Sequence, residues 1–463
     1  MRFSRWAASL SVAATMAASP LAGATSLADV YELAVQNDPQ IAAARAGFSA
    51  RQEVVDQARG GLMPNISASV STTQTKRTSP EFLQDPTSPS GFTVVNQTQN
   101  FNSNQWSATL TQPVFDLSRW FTFRQSREIE AQAAAQFAAE QQELIFRVAD
   151  NYLSILEAQD RLSAAIAERD AVGRQLEQVK QRFDVGLVAI TDVLESQAAF
   201  DTSTVGVIEA EGAQAITFET LVRLTGQLIQ EIDGLSEEFP VEYPAPRNEE
   251  DWVEAALAGN YDLLASRHAV EQARRQVQIA RSGHLPTVNA RISYSESESG
   301  ANSVFSGQTE TNAATLSLDV PIFTGLRIRS QARQAGFQLD QAQRNFDLTR
   351  RTVVENTRNL YSAIITDVAR VRARLRGIES SQSALDATQT GYEVGTRNIV
   401  DVLLAQQRLF AAQFQYASAR YQYIRDTLRL KQVVGSLSPE DVYDLDRYIV
   451  ADESVEKITP TTR

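Results

Sequence analysis

Apolar and polar residues follow two rhythms along this chain, and the rhythms switch at matching landmarks in each half. In four places the side chains alternate one by one. Ile66, Ala68, Val70 and Thr72 oppose Asn65, Ser67, Ser69 and Ser71, and Trp106, Ala108 and Leu110 oppose Ser107, Thr109 and Thr111. Further on, Val288, Ala290, Ile292 and Tyr294 oppose Thr287, Asn289, Arg291 and Ser293. Ala314, Leu316, Leu318 and Val320 likewise oppose Thr315, Ser317 and Asp319. A period of two sends successive side chains to opposite faces, so these segments read as strands with one apolar face. That pattern suits a half-buried soluble sheet and a lipid-facing barrel wall alike. The polar stretches between paired strands, Thr75 to Asn104 and Glu296 to Asn312, read as exposed loops.

Around the strands the rhythm is helical. A first helix runs to about Arg59 and is stopped by Gly60, Gly61 and Pro64, since proline cannot continue the helical hydrogen bonds. The longest patterns run from Ser118 to Arg182 and from Leu326 to Gly391. Their apolar positions recur at steps of three, four and seven: Phe137, Leu144, Val148, Ile155, Leu162 and Ile166 in one. The other carries Phe346, Val353, Leu360, Ile364, Val371, Leu375 and Ile378. Alanine fills many remaining places, which suits close coiled-coil packing. At ~1.5 Å per residue each helix would extend on the order of 100 Å.

The two halves repeat each other. Ala58-Arg59-Gly60-Gly61-Leu62-Met63-Pro64 recurs as Ala280-Arg281-Ser282-Gly283-His284-Leu285-Pro286, and Gln112-Pro113-Val114-Phe115 as Val320-Pro321-Ile322-Phe323. Phe183-Asp184-Val185-Gly186 recurs as Tyr392-Glu393-Val394-Gly395, and Leu224-Thr225-Gly226 as Val433-Val434-Gly435. The expected division is a signal peptide over 1–24, a first repeat over 25–226, a connection over 227–250, a second repeat over 251–435 and a polar tail over 436–463. Part of the tail is expected to pack near the connection and its last residues to be disordered.

Composition then decides between soluble and membrane readings. Arg2 and Arg5, the apolar stretch Trp6 to Met16 and the small residues Ala22-Gly23-Ala24 form an export signal. There is no cysteine, so no disulfide, thiolate ligand, cysteine nucleophile or lipid-modified cysteine is expected. No mature stretch has the length and apolarity of a spanning helix, which leaves a closed β-barrel as the way across a bilayer. Four strands cannot close one, since known bacterial barrels need at least about eight, so a membrane reading requires oligomerisation. Without the signal the chain holds 41 basic and 56 acidic residues, about −15 in all, which argues against nucleic acid as a partner.

The segments Phe183-Asp184-Val185-Gly186-Leu187-Val188-Ala189-Ile190-Thr191-Asp192 and Tyr392-Glu393-Val394-Gly395-Thr396-Arg397-Asn398-Ile399-Val400-Asp401 resemble the turn signatures of the TolC family of outer-membrane efflux and secretion channels. The order of elements agrees over nearly all of the mature chain. The resemblance implies a fold that is mainly α with a small membrane β-barrel part, in a homotrimer of four strands per chain embedded in outer-membrane lipid. Helices would continue the barrel through the periplasm to a closed tip. It further implies a periplasmic adaptor (membrane fusion) protein and an inner-membrane ABC exporter or proton-driven pump as partners, with type I protein secretion and/or small-molecule efflux as the task.

The same resemblance assigns residues. Thr191 and Asp192 on one hairpin would hold Tyr392 and Arg397 on its neighbour, closing the tip. On the residues alone, Thr191 and Asp192 also suit the capping of the following helix. Asp401 would form an acidic ring at the constriction. The family often has a second acid one turn on, where this chain has Leu404, so a single ring with a weaker preference for cations is expected. Val185, Gly186, Leu187, Val394, Gly395 and Thr396 would meet the adaptor, the glycines supplying the tight turns. His268 and His284 are too far apart in sequence for a metal site, no phosphate-binding glycine loop occurs, and no carboxylate pair is singled out. Neither an enzyme nor a cofactor is therefore expected. The alternative class is a periplasmic coiled-coil adaptor or scaffold, which explains the long helices but not the amphipathic strand pairs.

Overall fold

The computed structural model describes residues 25–84, 86–87, 89–236, 238–300 and 307–458. The expected export signal and the last five residues lie outside them. In chain order the elements are α1 (Leu27–Asn37), α2 (Pro39–Gly60), β1 (Asn65–Gln84), β2 (Phe92–Phe115), α3 (Leu117–Asp184), α4 (Ile190–Thr225) and β3 (Glu231–Leu235). They continue with α5 (Glu249–Gly259), α6 (Tyr261–Ser282), β4 (Thr287–Ser299), β5 (Gly307–Asp319), α7 (Arg327–Glu393), α8 (Ile399–Val434), α9 (Pro439–Asp446) and β6 (Ile449–Glu456). The first helix of each half is broken in two. Asp38 precedes Pro39, and Asn260 caps α6 by accepting from the Leu263 amide at 2.8 Å; both are helix-starting signals.

Two compact units result, one of residues 43–140 and 254–356, the other of the remaining chain. The first holds an antiparallel sheet in the order β1-β2-β4-β5. Its register carries the sequence alternation across all four strands: Ile66 faces Leu110, Leu110 faces Ile292, and Ile292 faces Ala314. The neighbouring row is Ser67, Thr109, Ser293 and Ala313. Since period two is kept in every strand, the apolar rows share one face. That face is open, with Ile66, Ile292, Leu316 and Leu318 all exposed. The expected loops are largely strand: β1 continues to Gln84 and β2 begins at Phe92, while β4 runs to Ser299 and β5 begins at Gly307. Polar cross-strand pairs sustain these extensions, as where the Thr78 and Thr98 hydroxyls meet at 3.0 Å.

The second unit is packed around α1, α4, α8 and a stretch of α3. Val148, Leu153 and Ile155 of α3 and Phe218, Leu221 and Leu224 of α4 are fully enclosed. Tyr152 donates its hydroxyl to the Asp233 carbonyl at 2.6 Å, tying α3 to the two-stranded sheet of β3 and β6. Polar side chains join α8 to α3 along the coiled coil. Tyr421 donates to Asp160 at 2.7 Å, Arg425 reaches Glu157, Ser154 and Asp150, and Arg429 reaches Glu143 at 3.1 Å. In this unit's part of α7 the expected stripe is buried at Ile364 and Val371, whereas Leu375 is 47% exposed.

At the break between α1 and α2, Asp38 forms a buried ion pair with Arg147 of α3, and the Arg147 Nε has no partner among the described residues. Asp38→Ala strands a guanidinium in the interior and should cost about 3–5 kcal/mol. The double variant Asp38→Ala, Arg147→Met should recover most of that, which chemical denaturation of the three proteins measures.

Candidate functional site

The two helix-to-helix turns are built alike. After α3, the Gly186 amide donates to the Phe183 carbonyl at 2.8 Å and the Leu187 amide to Arg182 at 2.9 Å. After α7, Gly395 donates to Tyr392 at 3.1 Å and Thr396 to Gly391 at 2.8 Å. Gly186 and Gly395 sit at φ of 76° and 81°, the left-handed region in which a side chain would crowd the backbone. Beneath the turns Val179, Leu385, Ile399, Val402 and Leu409 form a buried cluster, with Val188, Val193 and Tyr392 packed against it. Val185, Leu187 and Val394 stand out from it, each about 70% exposed.

Capping is done by other residues than the sequence suggests. The N-cap of α4 is Ala189, without a side-chain hydrogen bond, and Asp192 lies in the first turn. Thr191 Oγ1 makes only a long, 3.5 Å contact to Asp192 Oδ1. At the second turn Asn398 is the cap, accepting from the Asp401 amide at 2.8 Å. Thr191 is exposed and Asp192 half-buried at the helix start, and neither caps α4.

Of the four residues assigned to closure, the chain brings Tyr392 and Asp192 into one electrostatic neighbourhood. Burial raises the Tyr392 pKa; the Arg182 guanidinium works against this, and Asp192 adds to it. Arg182 stands over the Tyr392 ring, 5.0 Å from its centroid, a cation–π arrangement. The Tyr392 hydroxyl is buried, with the Arg182 guanidinium beside it. Arg397 reaches no oxygen of Thr191 or Asp192; its carboxylate neighbour is Asp401, at 3.8 Å. Leu404 is exposed one turn beyond Asp401. Two residues escaped the sequence reading. Arg182 has no local signal, because its contact lies on another helix. Gly391 does have one, a glycine before Tyr392: a Cβ there would come within 2.8 Å of Arg397 Cγ, so the side chain of Arg397 lies across a space that only glycine leaves open.

Farther along α7 and α8, Asp367 is enclosed, its side chain 2% exposed, with Oδ1 held by Arg370 at 2.6 Å. Its Oδ2 has no donor and faces the carboxyl of Asp426. Burial first, and then Asp426, raise the Asp367 pKa to about 6, with Arg370 opposing. His268 lies beside Glu128, Nδ1 at 3.0 Å from the carboxylate. Among the described residues no cluster of ligands could hold a metal, and no helix is long and apolar enough to cross a membrane.

The sequence profile described as "Outer membrane efflux protein" matches residues 30–227 and 252–436. The chain is 34% identical to "Outer membrane protein TolC" of Vibrio cholerae over 426 residues, 91% of this chain and 93% of that one. It is 32% identical to the protein of the same name from Escherichia coli, over 96% of this chain and 89% of the other. Among solved structures, a membrane protein from Pseudomonas aeruginosa superposes with a TM-score of 0.75 at 18% identity, covering 89% of this chain and 91% of its own. A likeness running through both halves, strands included, leaves no place for the coiled-coil scaffold.

The Asp367 pair sets a pH dependence. The folded protein keeps this proton to higher pH than the unfolded chain, whose carboxyl titrates near 3.8. The stability it lends is complete below that value and is lost as pH rises through about 6. Thermal unfolding between pH 4 and 7 should show this decline, and Asp367→Asn should flatten it.

Proposed function

This chain belongs to the outer membrane efflux protein family, whose TolC-type members are outer-membrane efflux and secretion channels rather than enzymes, and from that premise we propose how it assembles and opens. Three copies form one exit duct, each giving four strands to a shared barrel and its long helices to a periplasmic conduit. The observation that carries this is the open sheet. Its strands alternate in direction from β1 to β5, so β5 of one copy can accept β1 of the next in the same antiparallel sense. Head-to-tail contacts of this kind close into rings. The exposed apolar rows then meet lipid, and the serine and threonine rows line the water-filled interior.

At the periplasmic tip, Thr191 and Asp192 of one hairpin hold Tyr392 and Arg397 of a neighbouring one. Thr191 and Arg397 are exposed for such a contact, and the Arg397 side chain has only its long contact to Asp401 among the described residues. Exposed ion pairs are worth about 0–1 kcal/mol each, so a ring of them keeps a tip closed while leaving it easy to release. Asp401 and Leu404 line the constriction. A periplasmic adaptor engages the exposed turn residues Val185, Gly186, Leu187, Val394, Gly395 and Thr396, and an inner-membrane ABC exporter or proton-driven pump supplies the energy. Adaptor binding spreads the hairpins, and cargo, whether protein or small molecule, passes through.

Single-channel recording in planar bilayers tests this. The native protein should give small, steady currents, and Asp192→Ala, Arg397→Ala should enlarge them several-fold without changing its thermal stability. An unchanged conductance in the double variant would sink the gate assignment.

A further inference from the structure

Two clefts run end to end between α7 and α8, sharing Ser381 and Arg408 in their walls, with volumes of about 320 and 590 Å³. The first begins at Arg397, Asp401 and Leu404; the second continues past Arg370, Arg374 and Gln415. On α8 the lining residues 401, 404, 408, 411 and 415 follow steps of three and four, which keeps them within an arc of about 80°. They therefore share one stripe of the helix with Asp401. A neighbouring stripe, with Ile399, Val402 and Leu409, is buried in the hairpin core, and Ala405 lies between the two.

The charges along this stripe change sign. Asp401 is offset by Arg397 at 3.8 Å. Beyond it Arg408 is exposed and forms no ion pair among the described residues. Arg374 is exposed and donates to the neutral Gln415. Arg370 is tied to Asp367, whose own charge is weakened by the raised pKa already described. A chain of net charge −13 thus gathers guanidinium groups in one groove, floored by small side chains such as Ser381, Ala411 and Ala412. Guanidinium forks in a wet, roomy groove suit oxyanions, which can take two parallel N–H donors from each.

We propose that the groove of Arg408 and Arg374 is a binding site for polyvalent oxyanions, placed one to two helical turns behind the constriction. This rests on the pore-facing reading of Asp401, because the shared stripe carries Arg408 to the same side. In a trimer three such grooves would converge, and like charges around a narrow passage focus their potential. The acidic ring would draw cations at the entrance, while the arginines behind it would hold phosphate- or carboxylate-bearing cargo in transit. Seven residues of helix, ~10 Å, keep Asp401 and Arg408 from neutralising each other directly.

The test uses the purified full-length protein in planar bilayers, with tripolyphosphate added to each chamber in turn. The native channel should be blocked reversibly and in a voltage-dependent way. Arg408→Ala should weaken the block by about tenfold or more, as expected for losing charge-assisted hydrogen bonds to an anion. Arg408→Lys should keep part of it, and Arg374→Gln should shift it in the same direction as Arg408→Ala. Native channels that conduct but ignore tripolyphosphate would overturn the site while leaving the duct intact, and so would equal block in the native and alanine proteins. A folded native protein that forms no channel at all would instead overturn the duct reading on which the site rests.

Discussion

Every backbone amide and carbonyl that enters hydrocarbon needs a partner, and this chain's sheet leaves two edges without one. β1 and β5 lie at the ends of a four-stranded order, each with an open row of donors and acceptors. In lipid such a row costs several kcal/mol for each unsatisfied group. Among the described residues its own unit holds no second sheet with which to cover them, and four strands are too few to curl shut. The rest follows from that deficit. Copies of the chain must complete the barrel, and the prolines Pro113 and Pro321 lie at the strand ends where each long helix is about to begin. Closing the sheet therefore also brings the helices of different copies together.

The other end of the helices obeys a different economy. Within the hairpins the contacts are extensive and apolar, with Val179, Ile399 and Val402 enclosed. At the surface they are few and polar. If exposed pairs hold such a hairpin to a neighbour, as proposed, they are far weaker than its core. Tyr392 lies at the boundary between the two regimes. Its ring is packed on the core and covered by Arg182, which also stands beside its buried hydroxyl.

Much of this was legible in the residues. Period-two alternation placed the apolar rows, because register cannot slip by one without turning every side chain to the wrong face. The paired glycines marked both turns, since each needs a positive φ. Other features were hidden for definite reasons. Residues 75–84 and 92–104 read as loop because polar residues and Pro80 interrupt any apolar alternation there, yet the partner strand satisfies their backbone. The helix breaks at Asp38 and Asn260 carry ordinary capping signals that were overshadowed by the long apolar pattern. The polar seam of Tyr421, Arg425 and Arg429 on α3 joins residues more than 260 positions apart, which no local pattern reveals. Arg182 is hidden for the same reason.

The central claim is that β5 of one copy pairs with β1 of the next until a ring of three closes. The absence of cysteine makes that directly measurable. Ser67→Cys on β1 can be combined in turn with Ala313→Cys, Thr315→Cys or Ser317→Cys on β5, all facing the polar side. Strands paired across a subunit boundary lie about 4.8 Å apart, within reach of a disulfide for side chains in register. Oxidation in native membranes should yield, for at least one pair, a reducible ladder that ends at the covalent trimer. Monomers in every combination, or a ladder that stops at the dimer, would contradict the account.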